Sequence, residues 1–185
     1  MLFWKNKTEA QRDSLILFWV RISNFSSFSD NVSPEDVASL LRINASACRR
    51  IFQRANGAIV SNDGIETFAV YPDLKTDHAN CIYHTIAFNL VHTLRGAIAE
   101  YKTGMFNDVS ITVSVGKGVC VFEKKGKEYR HVLGEVVNRL TNMAAQHSNR
   151  TSRIVFDESV KPFFKDAKPQ LLTNDIYEIV VPPEK

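Results

Sequence analysis

One long amphipathic helix dominates the middle of the sequence. After Asp77, large apolar residues recur every four positions, a spacing that places them on one side of a helix. They are Ile82, Ile86, Leu90, Leu94 and Ile98, and the stripe is widened by Cys81, Ala87 and Val91. The sequence therefore predicts a helix that faces a core and ends near Gly104.

The same periodicity predicts two more helices. The first has Ser33 as its N-cap and Pro34 at its first helical position, and it stops at Gly57. The second lies in the segment GEVVNRLTNMAAQ, where the apolar residues share one helical face. A further short helix is expected in the C-terminal tail.

Short apolar runs between the helices predict strands. Leu15 to Ile22 is dense in apolar and aromatic residues and predicts a buried first strand. Residues 58–60 and 67–71 flank the polar turn SNDGIE and predict a hairpin. The segment VSITVSVGKGVCVF alternates apolar and polar residues, and KKGK at Lys124 to Lys127 predicts the solvated tip of a second hairpin that returns as YRHVL. The last strands expected are SRIVF and IYEIVV.

This order of elements predicts an α+β fold. The expected arrangement is a ferredoxin-like βαββαβ sandwich with a mainly antiparallel sheet and helices on one face. A chain of 185 residues with 44% hydrophobic and 23% charged content is long enough for one substantial core. We assign residues 1–14 to a polar lead-in and residues 15–185 to a single domain.

Composition argues against several classes of function. The net charge of +3 and the dispersed Lys and Arg residues do not favour a nucleic-acid surface or a polybasic membrane anchor. The apolar run LILFWV is too short to span a membrane and lacks a signal-peptide cleavage pattern. Cys48, Cys81 and Cys120 are widely spaced among apolar residues, which favours packed, reduced thiols over a disulfide frame or a zinc site. We therefore expect a cytoplasmic location.

Five segments carry a family resemblance when they are taken in order. They are FSSFSDNVSPEDVASLL, GAIVSNDGIETFAVYP, DHANCIYHTIAF, ITVSVGKG and VLGEVVNRL. Together they resemble the catalytic domain of the class III nucleotide cyclases, the adenylate and guanylate cyclase family, from about Leu15 to Phe164. The resemblance implies the cyclase version of the sandwich and attack of a ribose 3′ hydroxyl on the α-phosphate of a nucleoside triphosphate, with release of pyrophosphate.

The resemblance also locates the metal-binding positions of that family. Two aspartates there hold two Mg²⁺-type ions, because hard cations need anionic oxygen ligands. The first position lies four residues before Phe25 and is Arg21, and the second directly follows Gly64 and is Ile65. Because neither residue type ligates magnesium, no metal or other cofactor is expected, and Mg²⁺ or Mn²⁺ would be needed only if the chain is active.

In the family, the other half of each site comes from a partner subunit, which implies a homodimer or a heterodimer with another cyclase-like chain. Asn138 retains the position that orients the ribose, whereas Asn142 stands where an arginine steadies the transition-state phosphate. The base-reading positions are Ser61 and His131, which match neither the adenine-reading nor the guanine-reading pair. Glu135 keeps the acidic character of the family's Gly-Asp motif at this helix start.

Each of these residues also has a purely structural interpretation. Asn138 is a common kind of residue near a helix start, and His131 fits a structural histidine in a strand. Arg21 either contacts a triphosphate or pairs locally with Asp63 or Glu66. Those two acids are also candidates for displaced metal ligands, although neighbouring strand positions point to opposite faces.

Three functions follow from the resemblance. The first is a catalytically degenerate cyclase-homology domain, a pseudoenzyme that acts in signalling as a dimeric regulatory or nucleotide-binding module. The second is an active cyclase with atypical base specificity, including a pyrimidine base, which would need Asp63 or another carboxylate to hold magnesium. The third is a subunit that supplies Asn138 and the base pocket to a partner with both aspartates. We take the first forward, because an isoleucine at position 65 makes ion binding unfavourable.

Overall fold

The computed structural model describes residues 9–74, 77–101, 109–145, 151–173 and 175–182. Within these residues the helices are α1 (Phe25–Ser29), α2 (Pro34–Arg54), α3 (Asp77–Tyr101) and α4 (Glu135–Ala145), and a 3-10 helix spans Glu158–Ala167. The strands are β1 (Ala10–Ile22), β2 (Ala58–Asn62), β3 (Glu66–Pro72), β4 (Ile111–Lys125), β5 (Glu128–Leu133), β6 (Arg153–Asp157), β7 (Gln170–Thr173) and β8 (Ile176–Val180).

All of these strands belong to one sheet. Its order is β2-β3-β1-β4-β6-β8-β7, and β5 pairs with β4 outside this path. The β4–β6 pair is parallel, and the other pairs are antiparallel. The predicted α+β class and the mainly antiparallel sheet are thereby confirmed.

The central strand β1 buries both of its faces. Ile16 and Phe18 belong to a core shared with α2 and α3, whereas Leu15 and Leu17 belong to a second core shared with α4. Since successive strand residues point to opposite faces, α4 covers the side of the sheet that α2 and α3 leave open. The prediction that the helices share one face is therefore wrong for α4. Helical periodicity shows that a face is buried, but not which side of the sheet buries it.

Several element boundaries differ from the sequence-based expectations. The first strand begins at Ala10 instead of Leu15, because residues 10–14 of the predicted lead-in pair with the far end of β4. Neither the one-turn helix α1 nor the strand β7 was expected. The predicted end of the long helix near Gly104 lies outside the described residues.

The predicted start of α2 is confirmed. The Ser33 hydroxyl accepts a hydrogen bond from the Asp36 backbone N–H at 3.2 Å, and Pro34 occupies the first helical position. The helix ends at Arg54, and the Gly57 N–H then donates to the Phe52 carbonyl at 2.8 Å. Gly57 has no room for a side chain, because an added Cβ would lie 2.4 Å from the Tyr71 ring. This connection therefore fixes the end of α2 against the start of β2.

The three cysteines are all free thiols, but they do not share one environment. Cys48 and Cys120 are buried, and burial raises the pKa of each thiol to about 11. Both therefore stay neutral at physiological pH, as expected for packed thiols. Cys81 is exposed, so its predicted place in the buried stripe of α3 is wrong.

Candidate functional site

The end of β1 and the β2–β3 turn lie side by side. Arg21 is the register partner of Glu66, and the Ile22 N–H donates to the Ile65 carbonyl at 3.0 Å. The structure therefore brings together the two positions, 21 and 65, that the resemblance identifies as the metal site. The roles assigned to these positions remain predictions.

A local ion pair occupies this location. Arg21 Nε lies 3.3 Å from Glu66 Oε1, and their side chains are 34% and 31% exposed. One of the two local partners predicted for Arg21, Glu66, is thus the observed one. A pair this exposed contributes little to stability because water screens it. The ion pair matters instead for what can bind here, since it places a permanently charged guanidinium beside the half-buried Ile65.

The turn itself is held by its own polar side chains. One carboxylate oxygen of Asp63 accepts backbone hydrogen bonds from Ile65 at 2.9 Å and Glu66 at 2.7 Å. The Asn62 side-chain oxygen accepts a third bond from the Gly64 N–H at 3.2 Å. Asp63 therefore acts as a turn former, an arrangement that Asp and Asn favour because their side chains bond to nearby backbone.

Residues of helix α2 contact the same turn and hold it in place. The fully buried Asn44 donates from its side-chain nitrogen to the Gly64 carbonyl at 2.6 Å. Gly64 has a φ of +94°, and an added Cβ would lie 2.8 Å from both Cβ and the carbonyl oxygen of Leu41. Only glycine meets both the backbone angle and the close packing. The position of Ile65 is consequently set by tertiary contacts and not by the turn alone.

Two buried hydroxyl residues lie beside Arg21 on the same face of the sheet. Thr112 is the register partner of Arg21 on β4, and Ser114 is that of Trp19. Both hydroxyl residues are fully buried, and the Thr112 hydroxyl is hydrogen-bonded to the Ser23 hydroxyl. In the described part of the chain, the buried Trp19 Nε1 and Ser114 Oγ have no hydrogen-bond partner. The sequence did not indicate that these two residues are buried, because α4 packs on their side of the sheet only in the folded chain.

Helix α4 carries the two positions to which the resemblance assigns ribose and transition-state contacts. Val136 and Leu140 pack into the core, whereas Asn138 and Asn142 are exposed one helical turn apart. The exposed Glu135 opens the helix, where an acidic side chain is favourable. Helix α4 also carries an arginine, Arg139, but this side chain is already paired. Its Nε lies 2.6 Å from the buried carboxylate of Asp157.

The two positions to which the resemblance assigns base reading lie at irregularities of their strands. Ser61 is exposed beside a register shift in the β2–β3 pair. His131 is exposed on β5, where the pairing with β4 also shifts, and its φ is +51°. A left-handed conformation costs a non-glycine residue on the order of 1 kcal/mol or more, so the surrounding structure has to impose it. Bulges of this kind redirect side chains, and no sequence signal indicated either one.

Two kinds of feature are absent from the described residues. Among them, no group of three or more His, Cys, Asp or Glu side chains is placed to hold a metal ion. None of the helices within the described ranges is long and apolar enough to cross a membrane.

Solved structures resemble this chain closely in architecture. The adenylyl cyclase CyaB from P. aeruginosa superposes with a TM-score of 0.73 and 17% identity over 96% of this chain and 98% of its own. A dimeric guanylyl cyclase domain of the RhoGC fusion protein from the aquatic fungus Blastocladiella emersonii gives 0.68 and 23%, over 94% and 97%. The guanylyl cyclase Cya2 gives 0.66 and 13%, over 92% of each chain.

The fold is that of a nucleotide cyclase catalytic domain. No protein-family model matches the sequence, and no curated protein matches it. The similarity therefore lies in the cyclase fold. At sequence identities of 13% to 23%, most positions carry a different side chain in the two proteins.

The two positions that the resemblance assigns to metal binding do not suit a divalent cation. A divalent cation needs anionic oxygens, and position 21 supplies a guanidinium that already holds Glu66. Position 65 supplies an alkyl side chain, and the nearby Asp63 uses one oxygen for two backbone bonds.

Proposed function

We propose that this chain is a catalytically inactive cyclase-homology domain that works as a dimeric regulatory or nucleotide-binding module. The ion pair between Arg21 and Glu66, beside Ile65, carries the proposal. In the family resemblance these positions hold the ions that activate the nucleophile, and a fixed cation there opposes a second cation. A guanidinium is also a common ligand of phosphate, so we expect nucleotide binding without turnover, in which a phosphate group competes with Glu66 for Arg21.

The loss of charge on α4 supports the same conclusion. Asn142 has no charge to offer a transition-state phosphate, and Arg139 is committed to Asp157. Asn138 alone keeps the residue type expected at its family position, and it is exposed, as a group that contacts a nucleotide across a subunit interface needs to be. Ribose contact without charge stabilisation fits binding and does not fit an accelerated reaction. The three free cysteines fit the cytoplasmic location that we propose for the domain.

A turnover assay tests the inactive state. The purified chain is incubated with each of the four nucleoside triphosphates and with Mg²⁺ or Mn²⁺, and cyclic monophosphate and pyrophosphate are measured. We expect no product above the protein-free reaction, because no residue at position 21 or 65 can hold the metal ions. Product from the chain alone, lost in Asn138→Ala, would show that the domain is active and that the proposal is wrong.

An exposed apolar surface supports the dimeric part of the proposal. Val121 and Leu133 are register partners on β4 and β5, and Val119 lies on the same face two residues away. These side chains are 43%, 66% and 53% exposed, which is high for neighbouring large apolar groups and typical of a surface that a partner covers.

Sedimentation equilibrium measures the oligomeric state directly. We expect a species at twice the chain mass of 20.9 kDa, and Leu133→Glu should shift it toward the monomer by placing a charge on the apolar surface. Leu171→Glu is the matched control, because Leu171 is equally exposed, at 66%, on β7 at the other edge of the sheet. A wild-type monomer at high concentration, or equal effects of the two variants, would refute this interface.

A further inference from the structure

A cavity opens at the end of the β2–β3 hairpin that lies away from Gly64. Its volume is about 880 Å³, within the usual range for small-ligand pockets. The walls come from the last turns of α2, the base of the β2–β3 hairpin and the tip of the β4–β5 hairpin. We call it the hairpin cavity. Val70 lines it four residues along β3 from Glu66, so it is about 13 Å from the Arg21 site.

The base of the hairpin cavity is apolar and includes an aromatic ring. Ala58 and its register partner Val70 line it on the same face of the sheet as Tyr129, and Ile59 lines it from the other face. Tyr129 is itself 7% exposed because it belongs to the core under α4, so the ring is held in place. A fixed aromatic wall next to aliphatic groups favours a ligand with a flat apolar body.

The rim of the hairpin cavity is positively charged. Arg49, Lys124 and Lys127 contribute three cations. Lys124 Nζ lies 4.9 Å from the centre of the Tyr129 ring, a cation-π contact that holds the ammonium group over the aromatic wall. In the described part of the chain, neither Arg49 nor Lys127 belongs to an ion pair.

The negative groups near the hairpin cavity are already neutralised. Glu128 is the one acidic side chain on its wall within the described residues, and it pairs with Arg130 at 2.8 Å. The carbonyls at the end of α2 accept bonds from the backbone that follows, including Phe52 from Gly57 at 2.8 Å and Gln53 from Asn56 at 3.2 Å. The electrostatic potential of the wall is therefore positive, which attracts anions.

We propose that the hairpin cavity binds a small organic anion with a flat apolar body, at a site separate from the nucleotide position. The body packs against Tyr129 and the neighbouring Ala58, and the anionic group meets the ammonium groups of Lys124 and Lys127. This site does not depend on the proposed function, because none of its residues belongs to the Arg21 and Ile65 region.

A fluorescent anion with this chemistry tests the proposal. The probe is 1-anilinonaphthalene-8-sulfonate, titrated into the full chain at low salt, with fluorescence as the readout. We expect saturable one-to-one binding that weakens about ten-fold in Lys124→Gln/Lys127→Gln, because each charge-assisted contact is lost. Binding should also weaken as sodium chloride is raised, since the rim cations are solvent-screened.

The control removes two charges from a different groove. Arg50 and Arg54 line a groove between α2 and α3, so Arg50→Gln/Arg54→Gln changes the net charge equally without touching the hairpin cavity. Less than a two-fold effect is expected there. Absence of saturable binding, or equal loss in both double variants, would overturn the proposal. Acetylation of lysines with and without probe gives a second readout: protection of Lys124 and Lys127 but not of the exposed Lys165 supports the site, and equal reactivity refutes it.

Discussion

Replacing Gly64 with alanine is expected to lower the free energy of unfolding by about 3 kcal/mol, which corresponds to a fall in Tm of roughly 6–12 °C for a chain of this size. Two costs add. The φ of +94° disfavours any side chain, and the new Cβ would lie 2.8 Å from Leu41, so the turn or α2 has to move. Denaturant unfolding followed by circular dichroism measures the change.

Gly126 is the matched control for this substitution. It also has a positive φ, +62°, but an added Cβ there meets nothing within 4 Å. Gly126→Ala should therefore cost only the conformational part, about 1 kcal/mol. Equal losses for the two variants would mean that the turn does not pack tightly on α2, and that Ile65 is not held in place by this contact.

Aspartates at positions 21 and 65 are expected to create metal-dependent stability. In Arg21→Asp/Ile65→Asp, the introduced carboxylates lie near Asp63 and Glu66, so the metal-free variant should be less stable than wild type because like charges repel. With a Kd on the order of 1 mM, 10 mM Mn²⁺ should stabilise the variant by about 1.4 kcal/mol, roughly 3–6 °C in Tm.

The wild-type chain should show a Mn²⁺-induced shift of less than about 1 °C in the same assay. The variant Arg21→Asn/Ile65→Asn controls for side-chain size without adding charge, and it should behave like wild type toward the ion. A Mn²⁺ shift as large in wild type as in the aspartate variant would show that the native chain binds metal by other groups. No shift in the aspartate variant would show that positions 21 and 65 do not form a metal site.

The sequence predicted correctly those features that depend on a few adjacent residues. The Ser33 cap, the Pro34 helix start and the hairpin around Gly64 appear where the sequence indicates them, because caps and turns depend on a few adjacent residues. The side-by-side placement of Arg21 and Glu66 is different, because it joins β1 to β3 across α1, α2 and β2 and was expected only from the family resemblance.

Other features depend on contacts between distant segments and carried no local signal. Cys81 has the spacing of a buried helix residue, yet α2 and α3 leave a groove there and the thiol is exposed. Thr112 and Ser114 have the spacing of solvent-facing strand residues, yet α4 lies on their side of the sheet. The left-handed conformation of His131 arises from a bulge that only the β4–β5 pairing produces.

The pairing of β1 also determines when this protein can fold during synthesis. Ala10 pairs with Glu123, so the central strand leaves the ribosome more than a hundred residues before its longest partner. Until β4 has emerged, the apolar run from Leu15 to Val20 lacks half of its backbone partners and one of its covering helices. Domains with such long-range pairing fold slowly and expose aggregation-prone strands on the way. The nascent chain therefore keeps at least one unpaired edge of β1 until β4 is complete.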